Sequence, residues 1–341
     1  MTQKTYKAAI YKGIGKIDIE ELPYPQCGDN DVIVKNRIAG ICGGDLAAFN
    51  LGGDANMIWE GSEFGHEMTS EVIEVGKNVK DIEIGDHVFP NMGNAKRDYM
   101  RTATVGGFSE YVHIPDFEIN FSAIKIDRDI PLLSSVLLEP FVIGTKGARR
   151  TNPGPGKTGI VFGAGIIGMS SAIMLDWYGC DRVMVVDISD YRLKNAESFG
   201  FLVCNPQNED LAERAKSEFG TKRKFMGEGC GADLYVDALT VDVGVDYFME
   251  LASRCAVLSI VGVHHHPKTL DLIKVCYNDL CICGCGDGRY EDVAPDVLEM
   301  MKSNKYDLAP LISHQFKQDD ILEAFKMANN PAESQKVTIV Y

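Results

Sequence analysis

The sequence predicts an α/β protein in two parts, a β-rich first third followed by a doubly wound parallel sheet. Short β-type runs joined by glycine-containing turns fill the first third of the chain. From about Leu137 onward, strand-like runs alternate with helical segments, which is the βαβ pattern of a parallel sheet. A glycine-rich G-x-G-x-x-G turn at residues 163–168 lies between a strand-like run and a helical one.

In the first third, several runs combine β-branched or aromatic residues with flanking turn residues, which is typical of strands. These runs are residues 8–11, 32–35, 70–75, 87–90 and 109–114. Short strands at this spacing predict a small barrel or sandwich.

The glycine-rich turn is the most specific single motif and predicts a site for NAD. Gly163 permits a tight turn, Gly165 lets the backbone approach a pyrophosphate, and Gly168 lets the helix pack closely on the strand. The helix start, which includes Ile167, presents unpaired N–H groups to the phosphates. Asp187 lies roughly 20 residues further on, where a carboxylate can accept both ribose hydroxyls of NAD and repel the extra phosphate of NADP.

The remaining elements continue the alternation of strand and helix. Ser189 or Asp190 can cap a helix that runs to Gly200. Further strand-like runs are residues 234–237, 257–261 and 280–283, followed by a helix at 320–329 and a strand at 336–340. His264, His265 and His266 precede a proline and predict an exposed loop after a strand, with a metal role as the less favoured interpretation.

Composition limits the possible partners. The net charge of -15 argues against nucleic acid and anionic membranes, which require clustered Lys and Arg. The first seven residues have no apolar run, and no later run approaches the roughly 20 apolar residues that span a bilayer. With these features, the 10 cysteines are expected to be reduced thiols or metal ligands in a cytoplasmic protein.

A second group of residues has metal-ligand chemistry. Cys42 and His66 stand on loops beside predicted strands, and Glu139 follows later in the chain. Zinc at a catalytic site takes thiolate, imidazole or carboxylate ligands. Spacing alone leaves alternatives open, namely a buried structural cysteine with a satisfied histidine, or a thiol nucleophile with its base.

The order of motifs resembles one family. C-G-x-D at 42–45, G-H-E at 65–67, E-P at 139–140, G-x-G-x-x-G at 163–168 and V-x-D at 185–187 follow one another. This order resembles the zinc-dependent medium-chain alcohol dehydrogenases, most closely their sorbitol (polyol) dehydrogenase branch.

The resemblance implies a GroES-like catalytic domain at 1–143 and 288–341, and a Rossmann NAD-binding domain at 144–287. It also implies an enzyme that interconverts a secondary alcohol (a polyol, sugar alcohol or cyclitol) and its ketone with NAD. The expected assembly is a homodimer or homotetramer.

Site residues follow from the resemblance. It implies that Cys42 and His66 bind a catalytic zinc, and that Glu67 is a ligand or lies close to the metal. Glu139 is expected to bind zinc directly or through water, and Asp45 to accept the second N–H of the ligand histidine.

Two arginines are carried over in the same way. Arg192 matches a residue near the adenosine ribose. Arg289, with Tyr290, resembles a segment beside the substrate and the zinc-bound water, which implies a catalytic role for Arg289.

Two departures from the family pattern matter. Relatives with a structural zinc carry four cysteines in a segment that here, at 91–101, has none. We therefore expect one zinc per subunit and a lobe held by packing and hydrogen bonds. Gly44 replaces the usual Ser or Thr, and Ala47 stands where a relay histidine often lies. The proton then leaves through a water molecule, through Glu67 or Glu139, or through a neighbouring hydroxyl of the substrate.

Alternative functions are an enzyme of the threonine or butanediol dehydrogenase type, a zinc-free NADPH enone reductase, or a non-catalytic nucleotide-binding protein. Asp187 disfavours NADPH, and the set Cys42, His66 and Glu139 disfavours the last two alternatives.

Overall fold

The computed structural model describes residues 4–286 and 289–341. Contacts within the chain divide it into two compact units. The first unit comprises Met1–Glu139 and Arg289–Tyr341, and the second unit comprises Pro140–Gly288. The predicted boundary between residues 287 and 288 lies outside the described residues.

The strands of the described residues follow in chain order. They are β1 Thr5–Tyr11, β2 Ile17–Pro23, β3 Val32–Gly40, β4 Glu67–Val75, β5 His87–Pro90, β6 Tyr111–Ile114, β7 Ala123–Ile126, β8 Thr158–Phe162, β9 Arg182–Val186, β10 Leu202–Cys204, β11 Thr221–Lys224, β12 Gly227–Cys230, β13 Leu234–Asp237, β14 Val257–Ile260, β15 Cys281–Gly284, β16 Ile312–Lys317 and β17 Lys336–Val340.

The helices of the same residues are α1 Gly43–Leu51, α2 Leu132–Ser135, α3 Leu138–Arg150, α4 Ile166–Trp177, α5 Asp190–Ser198, α6 Leu211–Phe219, α7 Val243–Leu251, α8 Leu272–Tyr277, α9 Tyr290–Lys302 and α10 Ile321–Ala328. Short 3₁₀ turns lie at Asp54–Asn56, Ala309–Leu311 and Gln318–Asp320. Among the residues that the structure describes, no helix combines the length and the apolar character needed to cross a bilayer.

The first unit is built on a seven-stranded sheet in the order β16-β17-β3-β4-β5-β7, with β6 also paired to β3. Strands β1 and β2 form a separate antiparallel pair. The core beneath the sheet includes Phe64, Phe108 and Phe325, whose ring centroids lie 4.9–6.0 Å apart. Strand β17, near the end of the chain, pairs with both β16 and β3 and therefore lies inside the sheet.

The second unit is a six-stranded parallel sheet in the order β10-β9-β8-β13-β14-β15. From β8 the chain builds outward to β9 and β10, and then crosses to β13, β14 and β15 on the other side. The point where the order reverses, between β8 and β13, is where open α/β sheets bind their ligands. The doubly wound sheet predicted from the βαβ alternation is confirmed, and Ser189 caps α5 through its side chain as predicted.

Candidate active site

Cys42 lies where the chain passes from β3 into α1. It is the N-cap residue of α1, and its Sγ accepts a hydrogen bond from the Gly44 N–H at 3.4 Å. The Asp45 carboxylate accepts the backbone N–H of Cys42 through Oδ2 at 3.0 Å. The reciprocal pair satisfies N–H groups that have no acceptor within the helix. The start of α1 thereby fixes the position of the sulfur.

His66 and Glu67 lie at the beginning of the adjacent strand, β4. Gly65, just before them, has a φ of +92°, and a Cβ there would lie 2.8 Å from the Phe108 ring, so the turn requires glycine. This turn brings the potential ligand atoms of Cys42, His66 and Glu67 within 4.8 Å of one another. Zinc ligands lie about 2.0–2.3 Å from the ion, so atoms at this spacing can share one zinc with small adjustments.

Lys336 is a buried lysine beside Glu67. Its side chain is 2% exposed, and its Nζ forms an ion pair with Glu67 Oε2 and donates to the Ile41 carbonyl at 2.9 Å. The two side chains meet across Gly40, where an added Cβ would collide with Glu67 Oε2 and approach Lys336 Cε to 3.4 Å. Strands β17, β3 and β4 are neighbours in the sheet, so Lys336 and Glu67 lie on either side of Gly40. The absence of a side chain at position 40 leaves room for their ion pair.

Glu139 joins the cluster from the first turn of α3 and is 5% exposed. Tyr290 Oη donates a hydrogen bond to Glu139 Oε1 at 2.6 Å. Burial, together with the nearby Glu67 carboxylate, raises the pKa of Glu139. Burial and the Glu139 carboxylate raise the pKa of Tyr290. The phenol therefore stays protonated and orients the Glu139 carboxylate.

The structure does not bring Arg289 into this cluster. Its side chain is 72% exposed, and its Nε lies 3.3 Å from Asp292 Oδ2 and 3.6 Å from Glu291 Oε1. The residue that reaches Glu139 is the next one, Tyr290, because successive side chains at a helix start point to different sides.

Asp45 and His66 approach each other without a hydrogen bond. His66 Nδ1 lies 3.8 Å from Asp45 Oδ1, and both atoms are buried without a hydrogen-bond partner among the described residues. Burial opposes a charge on His66, but the Cys42 sulfur and the Asp45 carboxylate raise the pKa of the imidazole well above its usual value. Buried polar atoms are nearly always hydrogen-bonded, so these two atoms mark a site that needs a further partner.

The charges and donor atoms of the cluster fit a divalent cation. Cys42, Asp45, Glu67 and Glu139 can each become negative, and Lys336 supplies one positive charge to this group. Burial raises the pKa values of Cys42 and Asp45, so additional positive charge is needed to keep them ionised. Thiolate, imidazole and carboxylate together are a donor set that zinc uses. The residues therefore fit zinc.

Gly44 adjoins the sulfur and leaves space beside it. A Cβ at position 44 would lie 3.5 Å from Asn56 Oδ1 and 3.9 Å from Cys42 Sγ, which are ordinary contact distances. The place where relatives carry a hydroxyl thus borders the Asn56 amide, in the short turn Asp54–Asn56. Asn56 could not be predicted as a site residue, because its sequence surroundings follow no motif.

The dinucleotide turn of the second unit has the geometry expected of its glycines. Gly163 has a φ of +100°, and its N–H donates to the Val186 carbonyl at 2.7 Å. A Cβ on Gly168 would collide with the Gly163 carbonyl, so helix and strand pack as closely as predicted. Gly165 is the N-cap of α4, and Ile167 lies in the first turn of that helix, where N–H groups have no helical acceptor.

Asp187 and Arg192 lie on either side of this turn. Asp187 Oδ2 accepts the Ala164 N–H at 2.7 Å, and Oδ1 accepts the Ser189 N–H at 2.8 Å. Arg192 approaches from α5, with its Nη1 3.7 Å from the point where a Gly165 Cβ would lie. Burial lowers the pKa of Arg192, although the Asp187 carboxylate opposes that shift. The structure thus brings the predicted cofactor residues together at the end of β8 and β9.

Two family models match this chain. Residues 28–121 match the alcohol dehydrogenase GroES-like domain, and residues 167–303 match the zinc-binding dehydrogenase domain. Sorbitol dehydrogenase of Rattus norvegicus is 26% identical over 344 residues, covering 94% of this chain and 91% of the rat protein. L-Idonate 5-dehydrogenase of Vitis vinifera is 26% identical over 353 residues, covering 97% and 93%. The chain belongs to the zinc-dependent medium-chain alcohol dehydrogenases.

The fold agrees with this assignment. The crystal structure of 2R,3R-butanediol dehydrogenase from Bacillus subtilis superposes with a TM-score of 0.84 at 23% identity, covering 98% of this chain and 99% of that one. The predicted family, its sorbitol dehydrogenase-like branch, the GroES-like and Rossmann folds and the oxidoreductase activity on an alcohol are confirmed. Enzymes of this family bind zinc and a nicotinamide cofactor and act on small-molecule substrates.

Proposed function

We propose that this chain is an NAD-dependent zinc enzyme that interconverts a secondary alcohol of the polyol, sugar alcohol or cyclitol class and its ketone. The observation that carries the proposal is the group of Cys42, His66 and Glu67 ligand atoms within 4.8 Å, with Glu139 beside them. The similarity to sorbitol and idonate dehydrogenases supports this substrate class.

The roles of the site residues follow from their contacts. Cys42, His66 and Glu67 would hold the zinc, and Glu139 would bind it directly or through water. When bound, zinc acts as a Lewis acid on the alcohol oxygen, and the nicotinamide accepts the hydride. Lys336 holds the Glu67 carboxylate.

The proton of the alcohol leaves by a route that does not use a side-chain hydroxyl at position 44. Tyr290 Oη donates to Glu139 Oε1 at 2.6 Å, and burial beside the Glu67 carboxylate raises the pKa of Glu139, which favours proton uptake by this group. We therefore favour Glu139 over Glu67, because Glu67 is engaged by Lys336. The catalytic role of Arg289 stays a prediction, and its side chain is exposed and pairs with Asp292.

We propose NAD as the cofactor because of Asp187. Its carboxylate lies at the end of β9 and is held there by the Ala164 and Ser189 N–H groups. A fixed negative charge at this position favours ribose hydroxyls and repels a 2′-phosphate. Arg192, next to the turn, is proposed to contact the adenosine side.

We also propose that the single zinc is catalytic. In the segment where relatives carry the four cysteines, the Arg97 guanidinium contacts three backbone carbonyl groups. Its Nη1 lies 3.5 Å from the Met92 carbonyl and 3.4 Å from the Ala95 carbonyl, and its Nη2 donates to the Ala103 carbonyl at 3.2 Å. Hydrogen bonds from one cation to three carbonyls can order this segment without a metal.

Metal analysis and a substrate panel test the proposal together. Protein purified without chelator is expected to hold about one zinc per chain, and polyols, cyclitols or sugar alcohols are expected to reduce NAD. Cys42→Ala should lose the metal with an unchanged circular dichroism spectrum. Cys27→Ala, which removes another free cysteine of the first unit, should keep it. Zinc well below one per chain, or zinc retained by Cys42→Ala, would refute the proposed site.

The same panel separates the alternatives. The butanediol dehydrogenase fold similarity makes diols the second class to include, and L-threonine represents the amino alcohols. Turnover of an enone with NADPH in metal-free protein would instead indicate a zinc-free reductase. The homodimeric or homotetrameric state and the cytoplasmic location stay predictions.

A further inference from the structure

His264 bridges two carboxylates in the second unit, in the loop after β14. Its Nε2 lies 3.1 Å from Asp237 Oδ2, and its Nδ1 lies 3.0 Å from Asp242 Oδ1. Asp237 ends β13 and is fully buried, whereas Asp242 is the N-cap residue of α7. We call this three-residue contact the His264 bridge. The adjacent His265 is exposed.

Asp237 links the loop to the dinucleotide turn. Its Oδ1 accepts the Leu239 N–H at 3.0 Å, and its carbonyl accepts the N–H groups of Val261 and Gly262 at 2.8 and 2.9 Å. A Cβ on Gly262 would collide with the Leu239 carbonyl, and a Cβ on Gly163 would lie 3.0 Å from Leu239 Cδ2. The loop after β14 therefore packs tightly against the end of β13 and against the glycine turn.

The location of the His264 bridge indicates which half of the dinucleotide site it can order. The dinucleotide site of a doubly wound sheet has two mononucleotide halves, on either side of the point where the strand order reverses. Gly163, Asp187 and Arg192 occupy the β8–β9–β10 side. The ends of β13 and β14, where Asp237 and His264 lie, occupy the other side, which receives the nicotinamide half.

Each ring nitrogen of His264 faces one carboxylate oxygen, Nε2 at Asp237 and Nδ1 at Asp242. A neutral imidazole donates a hydrogen bond to one of the two acids, and a protonated imidazole donates to both. In either form the side chain ties the loop after β14 to another element of the second unit.

We propose that His264 is a positioning residue for the nicotinamide half of the cofactor, and that it acts through the contacts of the His264 bridge. This inference rests on the proposed function as a nicotinamide enzyme. An intact bridge holds the loop of Val261 and Gly262 against Asp237. Without the His264 side chain, the loop loses this fixed contact, and the site is less well ordered for binding.

Binding and exchange experiments on His264→Ala test the proposal. NADH affinity is measured by fluorescence titration, and backbone exchange at Val261 and Gly262 is measured without cofactor. A charge-assisted hydrogen bond corresponds to about tenfold or more in an equilibrium constant, so His264→Ala should weaken NADH binding and speed exchange by about tenfold. His265→Ala, on the same loop, should leave both measurements unchanged.

Turnover at saturating cofactor distinguishes positioning from general stability. Maximal turnover at saturating cofactor should change less than affinity. Asp242→Ala removes the other acid of the bridge at the partly exposed start of α7 and should weaken NADH binding in the same direction, which covers the case in which His264→Ala folds poorly.

The outcomes are separable. Wild-type affinity for NADH in His264→Ala would overturn the role of the bridge, as would faster exchange without weaker binding. A wild-type protein that binds no NADH at any pH would refute the proposed function itself.

Discussion

Replacing Lys336 with methionine gives the sharpest test of the candidate metal site, because it removes one charge and keeps most of the buried volume. The lysine is 2% exposed and reaches Glu67 across Gly40. Methionine retains an unbranched side chain of similar length. The Glu67 carboxylate then remains buried without its partner, and the Ile41 carbonyl loses a donor.

The expected cost differs between the metal-free and zinc-loaded forms. Breaking a buried ion pair by removing one partner destabilises a protein by about 3–5 kcal/mol, because the remaining charge is uncompensated. In metal-free protein, Lys336→Met should therefore lower the free energy of unfolding by about that amount. If Glu67 is a zinc ligand, the cation compensates its charge, so the zinc-loaded variant should lose only about 1–2 kcal/mol, close to the cost of the lost hydrogen bond and desolvated carbonyl.

Urea unfolding with chelator and with zinc measures both values, provided that wild type unfolds in one step under each condition. Lys326→Met is the matched control. Its ion pair with Glu323 lies on the surface, with both side chains more than 60% exposed (65% and 63%), so its loss should cost about 0.5 kcal/mol or less. The double variant Glu67→Leu with Lys336→Met should recover part of the stability while failing to bind zinc.

A loss in Lys336→Met no larger than in Lys326→Met would refute the buried pair. Equal losses with and without zinc would still agree with a buried ion pair between Lys336 and Glu67. They would, however, exclude Glu67 as a zinc ligand. The two results are independent, so the experiment tests the local electrostatics and the ligand assignment separately.

Two further changes test the cofactor half and the proton route. Asp187→Asn should weaken NAD binding by about tenfold or more and reduce the preference over NADP, because a charged acceptor of the ribose hydroxyls is lost; an unchanged NAD/NADP ratio in binding titrations would exclude Asp187 from discrimination. Gly44→Ser should fold normally, since its Cβ would meet Asn56 Oδ1 at 3.5 Å, and should alter the pH dependence of kcat/KM by adding a hydroxyl beside Cys42; an unchanged profile and substrate range would show that position 44 lies outside the proton path.

Features with a local cause could be predicted from the sequence. The dinucleotide turn is one of them, since Gly163 has a φ of +100° and a Cβ on Gly168 would collide with the nearby Gly163 carbonyl. The βαβ alternation also follows from short-range periodicity, and the observed sheet order agrees with it. The α5 cap at Ser189 is equally local.

Residues whose role depends on distant partners could not be placed. Cys42 and His66 are brought together by the pairing of β3 with β4, and only the order of motifs pointed to them. Lys336 carried no signal, because lysine is rarely buried and its partner, Glu67, lies on a strand far away in the chain. Arg289 and Tyr290 are adjacent, and alternation at a helix start does not tell which side chain turns inward.

The His264–His266 run shows the same limit within three residues. The loop position was predicted, and His265 and His266 are exposed, but His264 lies between two acids from other elements. These contacts could not be predicted from the sequence, because Asp237 lies at the end of β13 and Asp242 lies at the start of α7. The two positions become neighbours only in the folded protein.

Both units contain a buried carboxylate that is held by a side chain supplied later in the chain. In the first unit, Glu67 is held by Lys336, and in the second unit, Asp237 is held by His264. The Glu67 carboxylate lacks its cationic partner until β17 has joined the sheet, and a buried charge without a partner costs about 3–5 kcal/mol. The metal-binding group of the first unit therefore requires β17, and zinc affinity reports on the completeness of that sheet as well as on the ligands themselves.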